Sequence, residues 1–259
     1  MVELDFLTRI RRLKEKEVES FTEKELRRDT PILDFKASIT ESPIIAEVKL
    51  SSPSKGLIRV VDPVSQARLY KDGGCGAISI LTDSNYFGGS WENIARVKRE
   101  LEIPVLCKEF IISEKQIVRA YNLGADAILL ISELLQVSEL LRLYKFARDI
   151  GLQVILEFND PGEIPKVETV KPDMLGINSR NLKTLFVDKK SATALVERMS
   201  RDYFVIAESG IESEEDIIAF TKSGARAFLI GEALMRSEDP TVLIRRFMDV
   251  HKSMRDKGC

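Results

Sequence analysis

Histidine is almost absent from this 259-residue chain: His251 is the only one, and it stands in a charged C-terminal segment. A Ser-His-Asp centre and a multi-histidine metal site are thereby excluded. Cysteine is nearly as scarce. Cys75, Cys107 and Cys259 are odd in number and far apart, which neither staples a secreted scaffold nor gives metal-ligand spacing. Long apolar runs are missing too, with no stretch of about 18 apolar residues that would span a membrane. The segment Met1 to Ser20 is dense in Arg, Lys and Glu and lacks the apolar core of a secretory signal. A reducing cytoplasm is the expected setting. Nor does one sign of charge dominate, with 41 acidic residues against 39 basic. That balance leaves no broad basic face for nucleic acid or an anionic membrane, while permitting a local basic pocket. Lys, Glu, Asp, Ser, Asn and Arg must therefore carry any chemistry.

What is present is regular. Residues 5–29 read as an amphipathic helix, with Phe6, Leu7, Ile10, Leu13, Val18 and Phe21 at roughly helical spacing among charges. Thr30 and Pro31 interrupt it. Eight short apolar runs follow: Ile44–Lys49, Ala77–Leu81, Pro104–Lys108, Ala127–Ile131, Gln153–Phe158, Met174–Asn178, Tyr203–Glu208 and Ala227–Gly231. Most are continuous in Ile, Leu and Val, as parallel strands buried on both faces require. Amphipathic segments such as Glu133–Ile150 lie between them. Strand and helix alternating eight times predict an α/β fold, a (βα)8 TIM barrel with a helical N-terminal extension over residues 1–40. An open doubly wound sheet is the competitor. An internal echo favours the barrel: Gly74 to Leu81, Gly124 to Ile131 and Gly224 to Gly231 share one pattern, a helix-ending glycine and a tight turn into a buried strand. With no linker or low-complexity tract, residues 1–259 read as one domain.

Several apolar runs end in charge or amide at their C-terminal ends: Glu47 and Lys49, Lys108, Glu157 and Asn159, Asn178 and Arg180, and Glu208. Barrel chemistry sits where those ends meet the mouth. Strand periodicity puts Glu47 with Lys49, and Glu157 with Asn159, on one face. Each taken singly could be a solvated residue opening a loop. The same habit on several strands is better explained by a shared polar mouth, because unpaired charge in hydrocarbon costs several kcal/mol. Ser51 to Gly56 follow the first run, Ser209-Gly210 the seventh, and Gly231-Glu232 the eighth. Each alone is turn chemistry. Together they occupy the loops where barrels bind phosphate.

The run Glu47-Val48-Lys49-Leu50-Ser51-Ser52-Pro53-Ser54-Lys55-Gly56 resembles the E-x-K-x-x-S-P-S signature of the indole-3-glycerol phosphate synthase family. In order follow Ser79 to Thr82 with Tyr86 to Ser90, Pro104 to Ile111, Leu156 to Asp160, Gly176 to Leu182, Ala207 to Ile211 and Gly231 to Met235. The resemblance spans nearly the whole chain. Three positions depart from the common pattern: Glu109 for an Asp, Cys107 for a basic residue or Met, and Asn159 for a His. Alternation turns Cys107 away from the mouth. No expected catalytic group is lost.

The resemblance implies ring closure, decarboxylation and dehydration of 1-(2-carboxyphenylamino)-1-deoxy-D-ribulose 5-phosphate to indole-3-glycerol phosphate, in tryptophan biosynthesis and without a cofactor or metal. It implies Lys108 as general acid, Glu157 as general base, and Lys49 holding the substrate carboxylate, with Glu47 orienting Lys49. Glu208 would complete the charge network, Asn178 would bind substrate hydroxyls, and Arg180 would hold the phosphate side or the loops. Ser52, Ser209, Gly210 and Gly231 would contribute to the phosphate site, and Glu232 beside them would bind substrate. Phe87, Phe110, Leu129 and Leu182 would clasp the aromatic ring, with Ser79 near it, although ordinary barrel packing accounts for the apolar ones equally well. The expected partner is a small phosphorylated substrate, with neither nucleic acid nor membrane. A monomer able to associate with other tryptophan-pathway enzymes is expected. The rivals are phosphoribosylanthranilate isomerase, the tryptophan synthase α chain, an aldolase using Lys108 as a Schiff base, and a barrel serving only for assembly.

Overall fold

The apolar runs are strands, and they hydrogen-bond side by side into one closed barrel. The computed structural model describes residues 5–23, 25–52 and 56–256. The strands are β1 (Ile44–Val48), β2 (Ala77–Leu81), β3 (Val105–Lys108), β4 (Ala127–Ile131), β5 (Gln153–Phe158), β6 (Met174–Asn178), β7 (Val205–Glu208) and β8 (Ala227–Ile230). Each pairs in parallel with its neighbours in sequence, and β8 closes onto β1 through Ile44↔Phe228 and Ala46↔Ile230. Every residue of β1, β2, β4, β6, β7 and β8 is buried, which is why those runs carry no polar alternation. Helices cover the outside. Their starts follow local chemistry: Asp62 accepts the Ser65 N–H before Pro63–Asp72, and Ser113 with Gln116 forms a capping box before Glu114–Asn122. The repeated glycines end helices in the left-handed region as expected, with φ of 91° at Gly74, 97° at Gly124 and 99° at Gly224.

Several boundaries differ from the expected ones. β3 starts at Val105, since Pro104 has no N–H to donate, and Lys49 stands just beyond β1. The segment Glu133–Ile150 divides into a 3-10 turn, Ser132–Leu134, and a helix, Val137–Asp149. Glu133 is drawn inward there, where its Oε1 accepts the N–H groups of Asn159 at 2.7 Å and Asp160 at 3.0 Å.

The helix expected over residues 5–29 is the largest correction. Helix α1 covers Phe6–Glu19 only. Ser20 folds its hydroxyl onto the Glu17 carbonyl, and Phe21 turns into an edge contact with Trp91 beneath the Arg119 guanidinium. Further on, Arg28 is buried against Asp126 at 2.8 Å and the Gly124 carbonyl at 3.1 Å. These tertiary contacts override the helical pattern. The extension thus starts beside the mouth and descends the outside of the barrel. A second helix, α2 (Phe35–Glu41), closes the bottom, burying Phe35 and Ile39 completely. No helix among the described residues is long and apolar enough to cross a membrane.

His251 lies at this closed end, buried on the C-terminal helix Pro240–Asp256, with Nδ1 2.9 Å from Thr221 Oγ1 and its ring edge against Phe228. Burial, reinforced by nearby Arg255, pushes its pKa down to about 4 from 6.5. In the unfolded chain it would protonate near 6.5, so between those values the unfolded state binds more protons. The stability this residue contributes is therefore full above pH 6.5 and is lost as pH falls through about 4. Thermal melts should show the wild type losing Tm across that window faster than His251→Gln. Parallel curves would refute the buried neutral imidazole.

Candidate active site

At the C-terminal ends of the strands the barrel opens into a cavity of about 390 Å³. Its centre is Lys108, the last residue of β3. The ammonium lies 3.0 Å from Glu157 Oε2 and 2.5 Å from Glu208 Oε2, reaching two strands across the barrel. Asn178 Nδ2 donates to Glu157 Oε1 at 2.9 Å, and Asn159 Nδ2 donates to the Asn178 carbonyl at 2.9 Å. Register explains the convergence. Glu157 pairs with Gly176, which shares a face of β6 with Asn178 two residues further on, and Asn178 pairs with Glu208, so the polar side chains of successive strand ends fall on one face. Beside them Lys49 Nζ is 2.7 Å from Glu47 Oε1 and 6.0 Å from the centre of the Phe87 ring.

Two glycines make room for these carboxylates. A Cβ at Gly176 in β6 would collide with Glu208 Oε1, and one at Gly231 would come within 2.5 Å of Glu47 Oε1. Barrel positions that elsewhere hold branched side chains are therefore emptied to admit charge.

The charges are not equivalent. Burial alone would lower the Lys108 ammonium, but the fields of Glu157, Glu208 and Glu47 outweigh it and raise its pKa above the ordinary 10.5. Burial pushes Glu157 up, yet Lys108 and the Asn178 hydrogen bond bring it below the usual carboxylate range. Glu208 goes the other way: burial raises it, and the charge of Glu157 adds to that against the pull of Lys108. The centre thus holds a persistent cation and two carboxylates pushed apart in acidity, Glu157 lowered and Glu208 raised.

A second charge cluster supports the wall. Lys14 of α1 is buried and pairs with Glu17 at 2.8 Å, Asp83 at 3.0 Å and Glu109 at 2.9 Å. Glu109 also accepts the Thr82 hydroxyl and the Phe110 N–H, while Asp83 accepts the Tyr86 N–H. Those loops carry Phe87 and Phe110, whose rings lie 6.1 Å apart, and Phe6 of α1 packs edge-on against Phe110 and Tyr86. Removing one partner from such a network leaves a buried charge unpaired, at a cost of about 3–5 kcal/mol.

Most sequence-predicted residues meet at this cavity. Glu47, Lys49, Phe87, Lys108, Phe110, Leu129, Glu157, Asn178, Arg180, Leu182, Ser209, Gly210, Gly231 and Glu232 line it. Glu208 is buried behind Lys108 rather than on the wall. Ser79 is not brought to it: it shares a face of β2 with Leu81, which stands nearer the mouth, so Ser79 lies one layer below. The Ser52 side chain and Pro53 to Lys55 lie outside the described residues. Cys107 points away from the mouth and is fully buried, as alternation requires. Leu81, Ile131, Ile211 and Lys189 line the cavity without having been singled out. Leu81 and Ile131 end apolar runs at the height of Lys108 and Glu157, a signal that strand length alone could have supplied. Lys189 and Lys190 open a helix with no acid in its first turn, against the usual preference there.

At the far side Ser209 and Gly210 are successive left-handed residues, with φ of 63° and 70°. Ser209 bears a side chain in a conformation that disfavours one, strain of the kind that concentrates at ligand-binding turns. The Arg180 guanidinium bonds the Leu185 carbonyl at 3.0 Å and holds the adjoining loop, while Glu232 pairs with Arg236 at 3.0 Å.

A family model described as indole-3-glycerol phosphate synthase matches residues 7–247. An indole-3-glycerol phosphate synthase of Bacillus cereus is 43% identical over 214 residues, covering 82% of this chain and 83% of that one. The one from Sulfurisphaera tokodaii is 43% identical over 202 residues, covering 78% and 82%. That of Crocosphaera subtropica is 40% identical over 250 residues, covering 89% and 85%. A solved thiamine phosphate pyrophosphorylase from Pyrococcus furiosus superposes with a TM-score of 0.62 at 15% identity, covering 83% of this chain and 98% of that one, a likeness of fold alone.

Gly176→Ala tests the crowding directly. It should leave the barrel folded by circular dichroism and lower turnover by about 100-fold, the size of loss that an ångström's misplacement of Lys108 through its partner can cause. Wild-type turnover would mean that the place of Glu208 does not matter.

Proposed function

The chain belongs to the indole-3-glycerol phosphate synthase family, and on that premise we propose how its residues divide the family's reaction. It is a carbon–carbon lyase of tryptophan biosynthesis. It closes the ring of 1-(2-carboxyphenylamino)-1-deoxy-D-ribulose 5-phosphate with loss of CO2 and water, giving indole-3-glycerol phosphate. The net change is redox-neutral, so acids and bases suffice.

The observation that carries the proposal is the Lys108 ammonium shared by Glu157 and Glu208. As the ring carbon attacks the ribulose carbonyl, negative charge grows on the carbonyl oxygen, and Lys108 hydrogen-bonds and protonates it. CO2 loss restores the aromatic ring, and Glu157, held ionised, then accepts the carbon-bound proton whose removal, as the hydroxyl leaves as water, completes the five-membered ring. Glu208 balances the Lys108 charge from behind. Lys49, oriented by Glu47, holds the substrate carboxylate until CO2 leaves and is a second proton donor for dehydration. Phe87, Phe110, Leu129 and Leu182 clasp the ring, and Asn178 binds substrate hydroxyls. Ser52, Ser209, Gly210 and Gly231 take the phosphate, with Glu232 lining the substrate pocket after β8 and Arg180 holding the loop beside it.

The Schiff-base alternative needs a neutral amine at Lys108. The carboxylates around it keep it charged, which favours the acid role. We read residues 1–259 as one domain with 1–40 as its extension, and as a cytoplasmic monomer able to associate with other tryptophan-pathway enzymes.

Purified protein mixed with the carboxyphenylamino-deoxyribulose phosphate, without added cofactor, should generate indole fluorescence; no turnover would sink the assignment. Lys108→Ala and Glu157→Gln should each lose about 100- to 10,000-fold in kcat while still folding. Near wild-type rates in either would remove that residue from the chemistry.

A further inference from the structure

We propose that Lys189 is a further substrate-binding residue, the cation that meets the substrate's phosphate beside Ser209 and Gly210. The inference rests on the phosphate site proposed above and adds a cation to it.

The substrate is anionic at both ends, with a carboxylate on the ring and a phosphate on the sugar. Among the described residues, the cations lining the cavity are Lys49, Lys108, Arg180 and Lys189. Lys108 is committed to Glu157 and Glu208 at the reacting centre, and Lys49 stands with Glu47 beside Phe87, at the ring end. Arg180 spends a guanidinium N–H on the Leu185 carbonyl. Lys189 is placed differently. Its stem lies along Gly210, where a built Cβ would be 3.5 Å from Lys189 Cγ and 3.6 Å from Cε.

Asp216 fixes the ammonium there at 2.7 Å. The same carboxylate accepts the N–H groups of Glu212 at 2.9 Å and Ser213 at 3.2 Å, so it is anchored in the loop that begins with Ser209 and Gly210. One carboxylate contact leaves an ammonium with further N–H groups to give. The Lys189 side chain is 40% exposed, open to whatever enters the cavity. Helix stability does not explain the residue. Lys189 is the first residue of the helix Lys189–Met199, where the helix dipole disfavours a cation. A phosphate dianion held by backbone N–H groups gains a charge-assisted hydrogen bond from a lysine at that point.

The test compares the phosphorylated substrate with its dephosphorylated counterpart in wild type, Lys189→Met and Lys189→Arg. Lys189→Met keeps the stem over Gly210 and removes the charge. KM for the phosphorylated substrate should rise about ten-fold or more, the size expected for a lost charged hydrogen bond, with kcat within about two-fold. KM for the dephosphorylated compound should not change, and Lys189→Arg should stay near wild type, separating lost charge from a disturbed fold. An unchanged KM, or an equal rise for both compounds, would overturn the role of Lys189 while leaving the phosphate site standing. A wild type that fails to distinguish the two compounds would overturn the phosphate site itself, and Lys189 with it.

Discussion

A lysine ammonium held between two carboxylates inside a hydrocarbon barrel is the constraint on which the rest of the site depends. Burying Lys108, Glu157 and Glu208 is costly unless each has a partner at hydrogen-bonding distance. The closed sheet supplies that distance because register sets the heights of β3, β5 and β7. Gly176 and Gly231 then empty the space that the carboxylates fill. The resulting field keeps the lysine charged and divides the two acids, one lowered and one raised. Acid and base roles thus come from one packed cluster rather than from separately tuned groups.

The N-terminal extension belongs to the same construction. Lys14 reaches from α1 into the loops after β2 and β3 and holds Asp83 and Glu109, each of which fixes backbone beside an aromatic of the ring wall. Glu109 is next in sequence to Lys108. The two residues alternate outward and inward, so one position tethers the extension and the adjacent one presents the proton. Stability and catalysis share that strand end.

The barrel was legible in the chain because strands buried on both faces must be continuously apolar, and the glycine that ends each repeated unit marks where a helix gives way to a strand. Charge at the ends of those runs, Lys108 and Glu157 above all, was readable for the same reason: it breaks a pattern that packing imposes. The end of α1 was not. Its helical spacing runs on past Glu19, and only Trp91, Arg119 and Asp126, remote in sequence, turn the chain away. The depth of Ser79 was hidden too, since alternation gives the face of a strand but not the height at which the cavity floor lies. Lys189 follows no strand directly, and its place beside Gly210 depends on how one loop folds over another.

The chemistry of the site depends first on the charge state of Lys108. Lysine labelled at Cε and Nζ, with Lys108→Arg to assign the signal, allows that ammonium to be titrated by nuclear magnetic resonance. The expected result is a Lys108 signal that stays in its charged form beyond pH 10.5, where exposed lysines deprotonate, and that moves down in Glu157→Gln and Glu208→Gln. A Lys108 that titrates near neutrality would contradict the account, because the group would then be a neutral nucleophile rather than the acid at the centre of the barrel.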